Sequence, residues 1–372
     1  MEHLREIAKI AEWGLRGDAA RVSAYLSQLI EKLAAEGDVK AVQRLKESMV
    51  TSASTVQTSG IGNHSRLPVD TESRLALADE EAPDASAYPV VLDAGTTKRI
   101  DEFISFVKNA DELEAHGVGL SPSLITFGPP GTGKTQLARH IAGRLNMPLV
   151  VSRADTLISS YLGSTSKNLR TLFDHIANRH CILFLDELDA LAKLRDDQQE
   201  LGELKRVVVS LLQNLDNMNP HTVLIAATNH EHLLDPAIWR RFSFKVQLNL
   251  PAHKERELLL RMFFGDYAKT FDLAALTLLT ETLTGSDIRT LAQDAIRDAV
   301  VRRRKIDEDR LIWRLIAMRL KRDAVPDDLS PENLRLIHGL SPQFFNGKRL
   351  AELFQTSTST ISRKLKKGLT HA

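Results

Sequence analysis

Between an apolar run, "LITF", and a stretch of helical periodicity, "QLARHI", the chain reads Gly128-Pro129-Pro130-Gly131-Thr132-Gly133-Lys134-Thr135, with Gln136 following. Glycine permits left-handed backbone and close approach, so successive N–H groups in such a loop can wrap phosphate oxygens. Lys134 is then placed for the β and γ phosphates, and the Thr135 hydroxyl suits a Mg²⁺ shell. A G-x4-G-K-[ST] match arises by chance in a chain of this length roughly 1% of the time, and the flanking strand and helix signals lower that further. Downstream, "CILFLDELD" places Asp186 and Glu187 at the end of a buried-strand pattern. Asp186 suits the magnesium shell and Glu187 suits activation of an attacking water. Taken alone, two acids after a strand also serve as a helix cap; their place downstream of a phosphate loop favours chemistry. A third run, "TVLIAATN", ends in Asn229, which can hold the lytic water, touch the γ-phosphate or simply close a turn.

These groups meet only if the elements bearing them share one sheet. "LITF", "PLVV", "HCILFLD", "TVLIAATN" and "FKVQLNL" are short and rich in β-branched residues, and amphipathic helical stretches separate several of them. That alternation predicts a parallel sheet covered by helices, whose ligands gather at the carboxyl ends of the strands. The sheet domain is expected over 89–252. After Pro251 the pattern is wholly helical, which predicts a small helical domain over 253–323.

Residues 1–50 read as amphipathic helices, with Val22, Tyr25, Leu26, Leu29, Ile30 and Leu33 at helical spacing. Residues 51–88 are polar and rich in Ser, Thr and Gly, and read as a flexible linker. "DAVPDDLSP" breaks the helical run ahead of a basic module over 329–372. The net charge of +1 excludes a generally nucleic-acid-attracting molecule. No apolar run reaches the length of a membrane span, and "MEHLREIAKI" lacks a signal-peptide core. The single cysteine, Cys181, forms no intrachain disulfide and reads as strand core, so a reducing cytoplasm is the expected compartment.

"GPPGTGKT", "FLDELDAL", "LIAATN", "LDPAIWRRF" and "TGSDIRTLAQDA" occur in this order. On these motifs the segment from about 89 to 305 resembles the AAA family of the AAA+ superfamily, the group of katanin, spastin, the membrane protease FtsH and the proteasomal ATPases. The resemblance implies a P-loop NTPase sheet with a helical lid, Mg²⁺-dependent hydrolysis of ATP, and a homo-oligomeric ring, usually a hexamer, with ATP between neighbouring subunits. It carries Arg240 and Arg241 over as arginine fingers reaching a neighbour's ATP; an isolated Arg-Arg pair would otherwise read as solvated surface. Relatives often separate the two arginines with Pro-Gly, whereas here they are adjacent, and Arg241, next to Phe242, is the stronger candidate. It implies that Gly285 and Ser286 contact adenine and ribose, although "GSD" alone is a helix cap with a first-turn acid. It places Tyr161-Leu162-Gly163 in a pore loop gripping a protein substrate, where context-free reading gives a turn with a half-buried tyrosine. "AKLRDDQQELGELKR" is expected to form a second, charged pore loop.

Within the C-terminal module, "GKRLAELFQTSTSTISRKLKKG" resembles a helix-turn-helix, with Leu350, Ala351, Phe354, Ile361 and Leu365 inward and Thr358, Ser359 and Ser362 outward beside Arg363 and Lys364. Gln355 stands where glycine is usual. Seven Lys/Arg against two Asp/Glu over 329–372 give a net of +5, which suits phosphate backbone; a small helical module for protein contacts is the alternative. Arg302-Arg303-Arg304-Lys305 reads as a helix-end cap. The leading expectation is an ATP-driven protein remodeller or unfoldase, with the N-terminal helices as an adaptor. The competing ones are a DNA-associated ATPase that contacts DNA through residues 347–367, and an ATP-state switch in a defence or protease-partner system.

Overall fold

The computed structural model describes residues 30, 32–33, 67–70, 76–117, 122–158, 164–177, 179–190, 201–219, 222–321 and 329–366. The chain forms two compact units, residues 1–76 and 77–372. In the first, Ile30, Lys32 and Leu33 are helical and an isolated bridge pairs Val69 with Ala76. The remainder of the expected N-terminal helices, the Tyr161-Leu162-Gly163 segment and residues 191–200 lie outside the described residues.

The second unit is built on a six-stranded sheet: β1 (Asp79–Glu81), β2 (Ser123–Phe127), β3 (Leu149–Arg153), β4 (Ile182–Asp186), β5 (Val223–Thr228) and β6 (Phe244–Gln247). Their spatial order is β1-β3-β4-β5-β2-β6. All neighbours pair in parallel except β1, which runs antiparallel to β3. Strand side chains alternate between faces, and both faces are covered. Leu183, Leu185 and Ala226 pack with Leu169, Leu172 and Leu211 on one side. Ile182, Phe184 and Ile225 pack with Leu137 and Ile141 on the other. That is why these strands read as continuous apolar runs. Pairing of Phe127 with Thr228 and of Arg153 with Asp186 brings the carboxyl ends of β2 to β5 to one edge of the sheet. Cys181, at the mouth of β4, is fully buried, and burial pushes its thiol up to about 11.

The linker expected over 51–88 ends earlier. Leu77 and Ala78 are buried, and β1 follows on the sheet edge. Ser152 Oγ donates to the Leu77 carbonyl (2.7 Å), and Arg139 forks onto Glu81 at 2.7 and 2.9 Å. An edge strand is held by main-chain bonds and ion pairs, neither of which requires an apolar sequence. Polar composition therefore hid it.

The lid consists of the helices His253–Phe264, Leu273–Leu279, Gly285–Val301 and Glu308–Leu320. Arg302 at the C-cap of the third and Arg304 just beyond it both pair with Asp298, four and six residues back. The expected C-terminal module folds as Pro331–Leu340, Gly347–Leu353 and Thr358–Lys366, but it is no separate body. Leu334, Ile337, Phe345, Leu350 and Ile361 join the same apolar core as Leu291, Leu315 and Ile316 of the lid. Trp313 meets Phe354 edge to face at 5.1 Å, and Arg349 pairs with Asp309 at 3.1 Å. A proline-containing break marks only a turn of the chain; apolar faces on both sides of it decide whether two cores or one result. Among the described residues no helix is long and apolar enough to cross a membrane.

Candidate nucleotide site

Gly128 to Gly133 turn from β2 into the helix Lys134–Leu145. Gly128 has φ +139°, and a Cβ there would stand 2.1 Å from the Leu248 carbonyl oxygen, a backbone atom that cannot yield. Gly131 and Gly133 also have positive φ. Gly133 caps the helix with no side-chain hydrogen bond, so the first-turn N–H groups are not taken by a capping side chain and remain available to an anion. Thr132 Oγ1 donates to the Pro129 carbonyl (2.8 Å), bracing the loop around Pro130. The Lys134 ammonium donates to the carbonyls of Gly128 (2.8 Å) and Pro129 (2.9 Å). Lys134 is 7% exposed, and burial pushes its ammonium below the usual lysine range, opposed by the charges of Asp186 and Asp189.

Thr135 Oγ1 donates to Asp186 Oδ2 at 2.8 Å, and the Glu187 amide donates to Asp186 Oδ1 at 2.9 Å. Glu187 has φ +54°, a left-handed backbone that costs a non-glycine residue on the order of 1–3 kcal/mol. It is held there from both sides, by its own amide bond to Asp186 and by the Leu188 amide on the Ala227 carbonyl (2.9 Å). Asp189, which sequence reasoning passed over, accepts from Thr228 Oγ1 and from the Asn229 amide at 3.2 Å each. It ties the end of β5 to the acids after β4. The "DELD" spelling carried that signal.

The lid supplies the opposite wall. The Ser286 amide donates to the Gly131 carbonyl (3.1 Å), and a Cβ on Gly131 would meet Thr284 Oγ1 at 2.7 Å. Thr284 and Asp287 form a reciprocal capping box, which fixes the start of the helix Gly285–Val301 against the loop. Between these walls lies a cleft of about 1060 Å³. Lys134, Thr135, Gln136, Asp186, Glu187 and Asn229 line its polar end, while Val91, Leu92, Leu259, Met262 and Phe263 line an apolar part. The polar end suits a triphosphate and the apolar part a purine. Val91 and Leu92 lie just after the residues read as linker, and nothing in their composition announced a ligand. The Thr135 hydroxyl beside the Asp186 carboxylate is a hard-oxygen pair of the type Mg²⁺ accepts, with few protein ligands and the rest from phosphate and water.

Arg240 and Arg241 are brought to a different place. Both are exposed, at the end of the short helix Pro236–Trp239. Arg241 forks onto Asp216, at 2.5 and 2.9 Å, and its carbonyl accepts from Ser123 Oγ at 2.9 Å. Ser123 opens β2, whereas the phosphate loop leaves its far end. The strand alone spans on the order of 13 Å, more than an arginine side chain can cross.

The profile of the family described as "ATPase family associated with various cellular activities (AAA)" matches residues 124–250, from the start of β2 to the loop after β6. An uncharacterized AAA family ATPase of Sinorhizobium fredii, y4kL, is 35% identical over 260 residues, covering 70% of this chain and 79% of that protein. The ATP-dependent zinc metalloprotease FtsH 3 of Sphaerobacter thermophilus is 33% identical over 222 residues, 58% of this chain and 45% of that one. A putative 26S proteasome regulatory subunit homolog of Methanocaldococcus jannaschii is 34% identical over 234 residues, 60% of this chain and 62% of that one. The chain thus spans less than two thirds of the latter two relatives. With the phosphate loop, the paired acids and the lid assembled around one cleft, and with a relative matched over most of its length, the chain belongs to the AAA family of ATPases.

Proposed function

We propose that the chain is the subunit of a homo-oligomeric ring that hydrolyses Mg-ATP at subunit interfaces to remodel or unfold a protein substrate. The observation that carries this reading is the position of Arg241. It is exposed, and the length of β2 separates it from its own chain's phosphate loop. That distance excludes the nucleotide of its own subunit, so as an arginine finger it would reach one held by a neighbour, exchanging Asp216 for phosphate oxygens. Arg240, adjacent and exposed, supports the same contact.

Within one subunit the loop amides and Lys134 bind and orient the phosphates. Glu187 accepts the proton of the attacking water, and Asn229 helps position that water. Bound Mg²⁺, held through Thr135 and Asp186, would neutralise charge on the phosphates. Gly285 and Ser286 bring the lid against the loop, so a change in the cleft moves the helical domain. Tyr161 and Leu162 would grip the substrate chain by dispersion and apolar contact, which demand no particular sequence, with Gly163 as their hinge.

Mixing variants tests the shared site. Glu187→Gln subunits and Arg241→Ala subunits are each expected to lose about 10³-fold or more in turnover alone. Mixed rings should recover activity, because some interfaces then combine an intact Glu187 with an intact Arg241. Rings of verified mixed composition that stay inactive would sink the proposal. Tyr161→Ala should keep basal turnover but lose its stimulation by an unfolded protein.

A further inference from the structure

The helix Thr358–Lys366 buries Ile361 in the lid core. The side facing away carries Thr358, Ser359, Ser362, Arg363 and Lys366, all exposed. Their spacing places them on one stripe, a row of hydroxyls and cations, and the helix contains no acidic residue. Of the other basic residues nearby, Arg349 pairs with Asp309 and Glu352 and Lys364 donates to the Leu329 carbonyl at 2.7 Å, while Lys348 on the preceding helix is exposed. Arg363 and Lys366 make no ion pair among the described residues. The preceding helix Gly347–Leu353 packs directly against this one, and the turn between them is closed by Gln355 in a left-handed backbone, φ +50°. Gln355 thus takes the left-handed backbone for which glycine is usual at this position.

We propose that this stripe is a docking face for duplex DNA, and that its occupancy is linked to the nucleotide cleft. The charge and the hydroxyls fit phosphate oxygens and base edges, and a single helix of this width fits a major groove. Hydroxyls would donate to the carboxylates of an acidic protein as readily as to phosphate, so the choice of duplex DNA rests on shape: the helix is exposed along one side and packs on the helix Gly347–Leu353 behind it, as a groove-reading helix requires. The linkage follows from the packing. The helix shares one apolar core with the helix Gly285–Val301, whose Ser286 amide holds the Gly131 carbonyl of the phosphate loop. A ligand that prefers one lid position must then shift nucleotide affinity, and nucleotide must shift the ligand's affinity by the same factor. The inference needs only the nucleotide cleft and holds whether or not the ring threads protein.

The test uses the full chain and a fluorescent duplex two helical turns long. Anisotropy should show binding whose affinity falls steeply with added salt. The charge-reversed variant R363E/K366E should bind about tenfold more weakly or worse, with an unchanged melting temperature and basal ATPase. Duplex affinity with and without an ATP analogue should differ by about fivefold or more, and analogue affinity with and without duplex by the same factor. An A-form RNA duplex, whose major groove admits no helix, should bind more weakly. Absence of duplex binding, undiminished binding by the charge-reversed variant, equal binding of the RNA duplex or of poly-glutamate, or duplex affinity indifferent to nucleotide would each overturn the proposal.

Discussion

At the scale of single residues, the cleft depends on positions where a side chain is forbidden as much as on those where one acts. Gly131 combines φ +77° with an approach that would leave a Cβ 2.7 Å from Thr284 Oγ1. Gly131→Ala is therefore expected to pay about 1–2 kcal/mol for left-handed backbone and to push the lid away from the loop. Titration with a fluorescent ATP analogue should show affinity lowered roughly 5- to 30-fold. Adding Thr284→Ala should recover part of it by removing the clash but not the strain. Wild-type affinity in the single variant would mean that the loop and lid need not touch. Glu187 makes the complementary point. Its identity was legible in "FLDELD", but its left-handed backbone was not, because that conformation is imposed by Asp186 and by Ala227 on a neighbouring strand.

At the scale of elements, β2 to β5 were visible as apolar, β-branched runs, since strands buried on both faces must be largely apolar, and β6, an edge strand with only Val246 buried, was visible through the alternation in "FKVQLNL". β1 was not. Its sequence is Asp-Glu-Glu, and its carboxylates pair with Arg139 and Arg179 from elements far along the chain. Leu77, immediately before it, is 1% exposed in the core on one sheet face. Leu77→Ala is expected to destabilise the sheet unit by about 2–5 kcal/mol, the usual range for emptying a buried leucine site. A urea titration should show the midpoint fall with an unchanged slope. An unaltered midpoint would return residues 77–88 to the status of a linker.

At the scale of the whole molecule, the lid and the C-terminal helices stand or fall together. Leu334, Ile337, Phe345, Leu350 and Ile361 are each fully buried in one core with the lid helices. A chain ending at Lys321 would expose the lid surface they cover. It should melt at lower temperature than the full chain and bind nucleotide more weakly, because Gly285 and Ser286 belong to the same body. If the shortened chain kept both its melting temperature and its nucleotide affinity, the C-terminal helices would be a dispensable attachment. The single core also explains why a Pro- and Asp-rich break misled the division into domains: breaks report where the backbone turns, not where apolar surface ends.

The sequence alone determined the family of this protein and the chemical groups it carries. The phosphate-loop motif, the two acids closing a strand pattern and the basic helix are each written in contiguous residues, so each leaves a local signal to read. Tertiary structure decided which of those groups meet and what holds them. Asp189 on the Asn229 amide, Asp216 on Arg241, Thr284 against Gly131 and the C-terminal helices within the lid core are all encounters between residues distant in the chain. None leaves a periodicity or a composition to read, because a single long-range contact constrains two positions only through each other.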